Sequence, residues 1–451
     1  MKTLNANEIY DKGIFNRYHF NLLFWLFVII IFDGYDTAIY GAVVPILMEE
    51  WSLTPVEAGA IGSYTVMGTV AGAFIFGLMA DKIGPKKVTM ISVLIFSVFT
   101  VLAGFANDPG MFTACRVIAG LGLGGVMPNV VALTTEFAPK KMRNAMIAIV
   151  FCGYSVGSMT VALVGKSIIG TMGWQPLYWL AGIMLLIMPF LLKSIPESLQ
   201  VLARQDKQEK IRTILKKAIP NHSLDDSIIF EKIAVQKQQK SSIGSLFSNK
   251  RGFTTLMLWI TSFCCFILIY AMNTWLTKLM MQAGYQLDSS LLFLAVLNVG
   301  AIIAVIAGGA LMEKYGFKKV LVPLYLLGSI ALVFISVTEN IVLAYVLVAI
   351  IGAASIGMHC LMFPLAAQYY PPEMRSTGVG VMMAFGRIGG IVSPTLIGML
   401  MALNLTVQMN FMVIAIAGVI GSIAVLLVQE KYAYYAVSEK QPVQSGKAAN
   451  S

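Results

Sequence analysis

Gly77-Leu78-Met79-Ala80-Asp81-Lys82-Ile83-Gly84-Pro85-Lys86-Lys87 and, later in the chain, Gly309-Ala310-Leu311-Met312-Glu313-Lys314-Tyr315-Gly316-Phe317-Lys318-Lys319 are two copies of one loop. The first glycine, the acid, the second glycine and the paired lysines all recur 232 positions on. A second loop obeys the same offset. Pro139, Met142 and Arg143, which follow Glu136, are matched by Pro371, Met374 and Arg375, which follow Gln368. Two loops sharing one offset point to a parallel duplication of the chain.

Outward from these loops the sequence is apolar. Of 451 residues 58% are apolar and 12% charged, about half the charged fraction of a soluble domain. Runs of about 20 apolar residues, long enough to cross a bilayer as a helix, fall near 20–44, 58–80, 87–105, 110–136, 145–168 and 174–192, then near 254–280, 289–312, 319–337, 341–368, 376–401 and 407–429. The reading is an all-α membrane protein of twelve transmembrane helices in two six-helix, pseudo-symmetric halves. The halves are 1–192 and 254–430, with a cytoplasmic linker at 193–253 and a short polar, disordered tail at 431–451.

The first 19 residues are polar and mixed in charge, without the apolar region and small-residue cleavage site of a signal peptide, so the first run is a retained span. The net charge of +10 is explained by where it lies. Lys82, Lys86 and Lys87 follow span two, Lys140, Lys141 and Arg143 follow span four, Lys314, Lys318 and Lys319 follow span eight, and the linker is basic. The loop after span one carries Glu49, Glu50 and Glu57. Basic even-numbered connections put both termini in the cytoplasm by the positive-inside rule, in an inner membrane, and call for no nucleic acid partner. A monomer is expected.

Gly77 to Lys87 resembles the signature loop of the major facilitator superfamily, and the resemblance extends over the whole chain through span number, linker and repeat. Within it, Asp33-Gly34-Tyr35-Asp36-Thr37 resembles the span-one signature of the aromatic acid:proton symporter family. Substrate is then expected near the midplane between the halves. The chain departs from the Trp-Leu-Pro common in that family at span seven, reading Trp275-Leu276-Thr277.

The residues carry their own chemistry. Asp33 and Asp36 lie within an apolar span, where each charge costs at least about 2.5 kcal/mol. Spaced i and i+3 they share a face, which Tyr40 continues. Two carboxylates in a dry cavity disfavour each other's ionisation, so the pair is the candidate for proton coupling. Arg116 in span four stands at the depth of Asp36, roughly 6 to 10 Å outward of the helix centres at about 1.5 Å per residue, so pairing is geometrically possible. It has no basic counterpart in the repeat, where Val348 stands.

Arg387, near the centre of span eleven, requires an anion or a water-filled cavity, and a substrate carboxylate fits the guanidinium fork. With Tyr40 and Arg116, the candidates for substrate binding are Asn273, Trp275, His359 and Arg387. Gly77, Asp81, Gly84, Lys86, Lys87, Glu136, Arg143 and Glu313 are candidates for a conformational latch. Their ion pairs would form only while the cytoplasmic side is closed, and their glycines would allow close approach and sharp turns.

The function expected is proton-coupled import of a small aromatic or related organic acid by alternating access. The alternative is a proton-antiporting drug exporter, disfavoured because Gly153-Tyr154-Ser155-Val156-Gly157 in span five lacks the proline that exporters of the superfamily share. No enzyme is expected: three histidines, no HExxH and no phosphate-binding glycine loop leave catalysis without a centre. No metal or cofactor is expected, and the five cysteines lie singly or adjacent within apolar runs as small buried hydrophobes.

Overall fold

The structure is a computed structural model that describes residues 3–4, 10, 15–139, 142–219, 229–230, 243–371 and 374–434. Lys140, Lys141, most of the linker between 220 and 242, and the tail beyond 434 lie outside these residues. Among the described residues, twelve helices are long and apolar enough to cross a membrane. The end of the chain's bundle bearing the basic loops is called inner here and the opposite end outer.

Spans one to six are Arg17–Glu50, Pro55–Ile83, Pro85–Ala103, Pro109–Phe137, Arg143–Met172 and Gln175–Ser194. Spans seven to twelve are Gly252–Gln282, Leu287–Tyr315, Phe317–Ile335, Ile341–Tyr369, Arg375–Ala402 and Val407–Leu427. Helix starts follow the sequence chemistry: Thr54 closes a capping box with Glu57 ahead of Pro55, and Asp108 caps Met111 ahead of Pro109. Span one, 34 residues long, exceeds the roughly 20 that a bilayer core needs. Span seven is unbroken through Trp275-Leu276-Thr277, as the missing proline allows.

The repeat is visible in matching details. Gly84 and Gly316 turn the chain at φ +99° and +85°, a region that side chains rarely adopt. Two residues on, the Lys86 ammonium donates to the Leu192 carbonyl at 2.7 Å, and the Lys318 ammonium donates to the Leu426 carbonyl at 2.8 Å. In each half the lysine after the second span thus caps a carbonyl at the C-terminal end of the sixth, where the helix dipole favours a cation.

By contacts the chain forms two compact units that do not follow the repeat boundary. One contains Met1–Gln236, Met272–Val299 and Pro394–Leu405; the other contains Lys237–Ala271, Gly300–Ser393 and Thr406–Ser451. The first unit therefore holds spans one to six with the outer parts of spans seven, eight and eleven. On its inner side Asn16 caps span one and donates from its amide to the Lys217 and Ala218 carbonyls of the linker helix Gln208–Ala218. A two-residue parallel pairing of Thr3–Leu4 with Ile229–Phe230 lies in the same unit.

Candidate functional site

Span one is fixed in rotation by glycine contacts with span five. A Cβ on Gly34 would lie 1.9 Å from the Tyr154 carbonyl oxygen, and one on Gly157 would lie 1.8 Å from that of Ile31. No other residue fits where backbones approach so closely. That crossing sets where Asp33 and Asp36 point, and both are buried.

Arg116 binds Asp36. Its Nη1 donates to both carboxylate oxygens at 2.9 Å, its Nη2 donates to the Asp36 carbonyl at 3.1 Å, and Thr100 of span three donates its hydroxyl to the same carboxylate. Both charged side chains are 1% exposed, and the Tyr178 ring stands 5.9 Å from the guanidinium carbon. In this structure the guanidinium of Arg116, a residue expected to bind substrate, is engaged by Asp36. Asp36, for its part, faces a guanidinium. A buried pair of this kind offsets its desolvation only while both partners remain charged.

Two residues expected to contact substrate donate to backbone carbonyls. The Tyr40 hydroxyl donates to the Ala58 carbonyl of span two at 2.5 Å. The Trp275 indole is fully buried, and its Nε1 donates to the Pro394 carbonyl of span eleven at 2.9 Å. With the Ser63–Thr395 hydroxyl contact at 2.7 Å they hold together the outer ends of spans one, two, seven and eleven. Asn273, 3% exposed, reaches the Tyr154 hydroxyl at 3.5 Å through Nδ2, while its Oδ1 has no hydrogen-bond partner among the described residues. An unpaired buried amide oxygen is costly enough to suggest a partner supplied from outside the chain.

In the second unit, half-buried Arg387 makes no hydrogen bond or ion pair among the described residues. It lies within electrostatic reach of His359. The His359 ring sits edge-on between Phe266 at 4.9 Å and Phe363 at 5.2 Å, and its Nδ1 is buried without a partner among the described residues. Directly before it, Ala353–Gly357 forms a π-turn, closed by the Met358 N–H donating to the Ala353 carbonyl. Such an insertion re-aims the side chains that follow and is frequent at functional sites.

Span seven supplies an aromatic strip here, with Phe266 and Tyr270 stacked at 6.2 Å and Trp259 stacked on Phe385 at 5.2 Å. The strip packs into the glycines around Arg387: Cβ atoms on Gly386, Gly389 and Gly390 would collide with Phe266, Phe263 and Tyr270. Trp259, Phe263, Phe266 and Tyr270 recur at helical spacing, a signal present in the sequence and missed by reasoning from charges.

The loop after span two is held by the start of the linker. Glu197 accepts from the backbone N–H of Lys86 at 3.2 Å and of Ser198 at 3.1 Å, and a Cβ on Gly84 would meet its carboxylate at 2.6 Å. Glu136 accepts from the Ser198 hydroxyl at 3.0 Å and the Gln200 N–H at 3.2 Å, and Arg204 donates to the Asp81 carbonyl at 3.0 Å. Glu197, Ser198 and Arg204 are thus partners that the loop comparison alone did not find. Asp81, Lys87 and Glu313 are exposed, and among the described residues no ion pair joins Asp81 or Glu313 to a base. A Cβ on Gly77 would meet nothing within 4 Å, so in this conformation Gly77 does not serve the close approach expected of it.

Residues 26–394 match the family model described as Major Facilitator Superfamily. The chain is 39% identical over 439 residues to the benzoate transport protein of Acinetobacter baylyi, covering 96% of this chain and 94% of that protein. It is 32% identical to the gentisate transporter of Corynebacterium glutamicum, covering 94% and 90%, and 30% identical to the gallate transporter of Pseudomonas putida, covering 94% of both. Among solved structures, the inward-open xylose transporter XylE from E. coli superposes with a TM-score of 0.73 at 17% identity, covering 93% of this chain and 99% of that one.

Proposed function

The chain belongs to the Major Facilitator Superfamily, and we propose that it imports a small aromatic carboxylate together with protons, by alternating access, across the inner membrane. Both termini lie in the cytoplasm, as the basic even-numbered loops require, and the transporter works as a monomer. The observation that carries the reading is Arg387: an arginine near the middle of span eleven, without a hydrogen-bonded partner among the described residues, beside an aromatic strip. A guanidinium at that depth requires an anion, and the rings suit an aromatic body. His359, whose buried Nδ1 has no partner among the described residues, is the group of the same unit left to bind the rest of the substrate.

Asp33 and Asp36 carry the proton. A proton on Asp36 removes the charge that holds Arg116, so protonation and the packing of spans one and four are linked through one buried pair. Relatives named for benzoate, gentisate and gallate support an organic acid and disfavour drug export.

The reading is tested by ligand-induced thermal shift of the purified protein with benzoate, gentisate, 4-hydroxybenzoate, gallate, xylose and a cationic drug. A ligand at a hundred times its dissociation constant stabilises by about 2.7 kcal/mol. One or more aromatic acids should raise the midpoint and xylose should not. A shift with the cation alone sinks the proposal.

Asp81 and Glu313 belong to a latch that forms when the inner side closes, and the linker contacts of Glu136 and Glu197 hold its loop in place. Asp81→Asn should therefore leave thermal stability and substrate affinity within about twofold of the parent and slow counterflow, because it removes a contact made in one state only. A large loss of affinity with unchanged counterflow would reject the latch.

A further inference from the structure

The Asp36–Arg116 pair is roofed by rings. Phe112 lies 5.4 Å from Trp51, 5.8 Å from Trp174, 5.5 Å from Tyr178 and 6.0 Å from Tyr40, and Trp174 and Tyr178 meet edge to face at 5.6 Å. Phe112, Trp174 and Tyr178 are at most 1% exposed. The plug stands at the outer end of the first unit, where the helix of Glu50 ends and that of Phe112 begins. A polar contact fastens Trp174: its Nε1 donates to Glu50 Oε2 at 2.7 Å.

Trp174 and Tyr178 stand at the head of a separate piece of span six. Gln175–Leu180 forms one short helix and Ile183–Ser194 another. Between them the chain switches to i→i−3 bonds, Ala181 to Tyr178 at 3.2 Å, Gly182 to Trp179 at 2.9 Å and Leu185 to Gly182 at 2.9 Å. A tight turn within a helix marks a hinge. Two polar atoms beneath the plug, the Tyr178 hydroxyl and Arg116 Nε, are buried without partners among the described residues, which the closed arrangement leaves unpaired at a cost.

We propose that this aromatic plug is the outer door of the proton site: the outer segment of span six swings about Ala181–Gly182, and the Glu50–Trp174 hydrogen bond is its catch. The proposal rests on the reading that Asp36 exchanges the coupling proton. With the door shut, Asp36 faces Arg116 of span four, Thr100 of span three, Tyr178 of span six and Tyr35 of its own helix, on which Asp33 stands three residues before it and Tyr40 four after. None of these opens a path outward. With it open, water reaches the carboxylate and a proton can enter. Trp174 and Glu50 are positioning residues, since neither touches Asp36.

Cys115 reports the motion. It is buried, neighbours Arg116 and lies three residues from Phe112 on the same helix face. In a protein whose Cys152, Cys264, Cys265 and Cys360 are replaced by alanine, Cys115 is labelled from outside intact cells with a membrane-impermeant maleimide. Trp174→Phe and Glu50→Gln weaken the catch from opposite ends. Each should speed labelling about tenfold, the effect of losing one hydrogen bond to a charged group. A tenfold rise in the open fraction scales the apparent proton affinity equally. Half-maximal uptake should accordingly move toward more alkaline external pH by about one unit, with substrate counterflow at fixed pH retained.

Unchanged labelling in both variants overturns the door. Faster labelling with an unmoved pH midpoint also overturns it, leaving a seal without a role in proton entry. If uptake by the parent protein ignores external pH, the coupling reading itself fails and the door falls with it; the parent measurement tells these failures apart.

Discussion

In liposomes with an inward-directed proton gradient, Asp36→Asn is expected to reduce accumulation to the level of protein-free vesicles while substrate counterflow without a gradient continues. Accumulation requires a site that alternates between protonated and charged states; exchange requires only that the loaded carrier reorient. The structure adds a second consequence. Asp36→Asn leaves Arg116 buried at 1% exposure opposite a neutral amide, and stripping one partner from a buried pair costs about 3–5 kcal/mol. A loss of uptake in the single variant could therefore come from unfolding alone.

The double variant Asp36→Asn, Arg116→Gln separates the two. It removes both charges, should recover most of the thermal stability, and should still fail to accumulate substrate. Recovery of gradient-driven uptake along with stability would make the pair a scaffold and leave coupling elsewhere. Asp33→Asn leaves the Arg116 pair intact and should also lose accumulation. Undiminished, pH-dependent uptake by both single variants would remove these carboxylates from the mechanism.

What the sequence revealed depended on whether a residue's meaning is set along the helix axis or around it. Axial position follows from counting, at about 1.5 Å per residue. Span number, the repeat and the shared depth of Asp36 and Arg116 were legible for that reason, and the pair meets at 2.9 Å. Position around the axis follows from an apolar stripe facing a core, and a span apolar on every side carries no such stripe. Tyr40 and Trp275 read the same whether their polar atoms meet a ligand or the carbonyls of Ala58 and Pro394.

The loops were half legible for a different reason. Comparing two copies finds what both share, as with Gly84 and Gly316 or Lys86 and Lys318. Glu197, which holds only the first copy of the loop, lies in the linker that has no counterpart. The rings of span seven were written in the sequence at helical spacing, but four aromatics in an apolar span do not differ from ordinary packing until Arg387 and His359 are set beside them.

Arg387 sets the largest expected change in substrate recognition. Arg387→Lys keeps the charge but replaces a planar fork by a point charge that cannot bind both oxygens of a carboxylate. A hydrogen bond to a charged group contributes about 1.5–3 kcal/mol, so the dissociation constant for an aromatic acid should rise roughly tenfold to a hundredfold. The uncharged amide of the same acid, which never used the fork, should bind parent and variant within about twofold. Titration of both ligands into both proteins by calorimetry makes the comparison. Because Arg387 has no hydrogen-bonded protein partner among the described residues, the substitution breaks no internal ion pair, and the ligand-free variant should melt close to the parent. Equal losses for acid and amide, or a variant that melts much earlier, would assign Arg387 to the scaffold and return the search for the carboxylate's partner to His359 and Asn273.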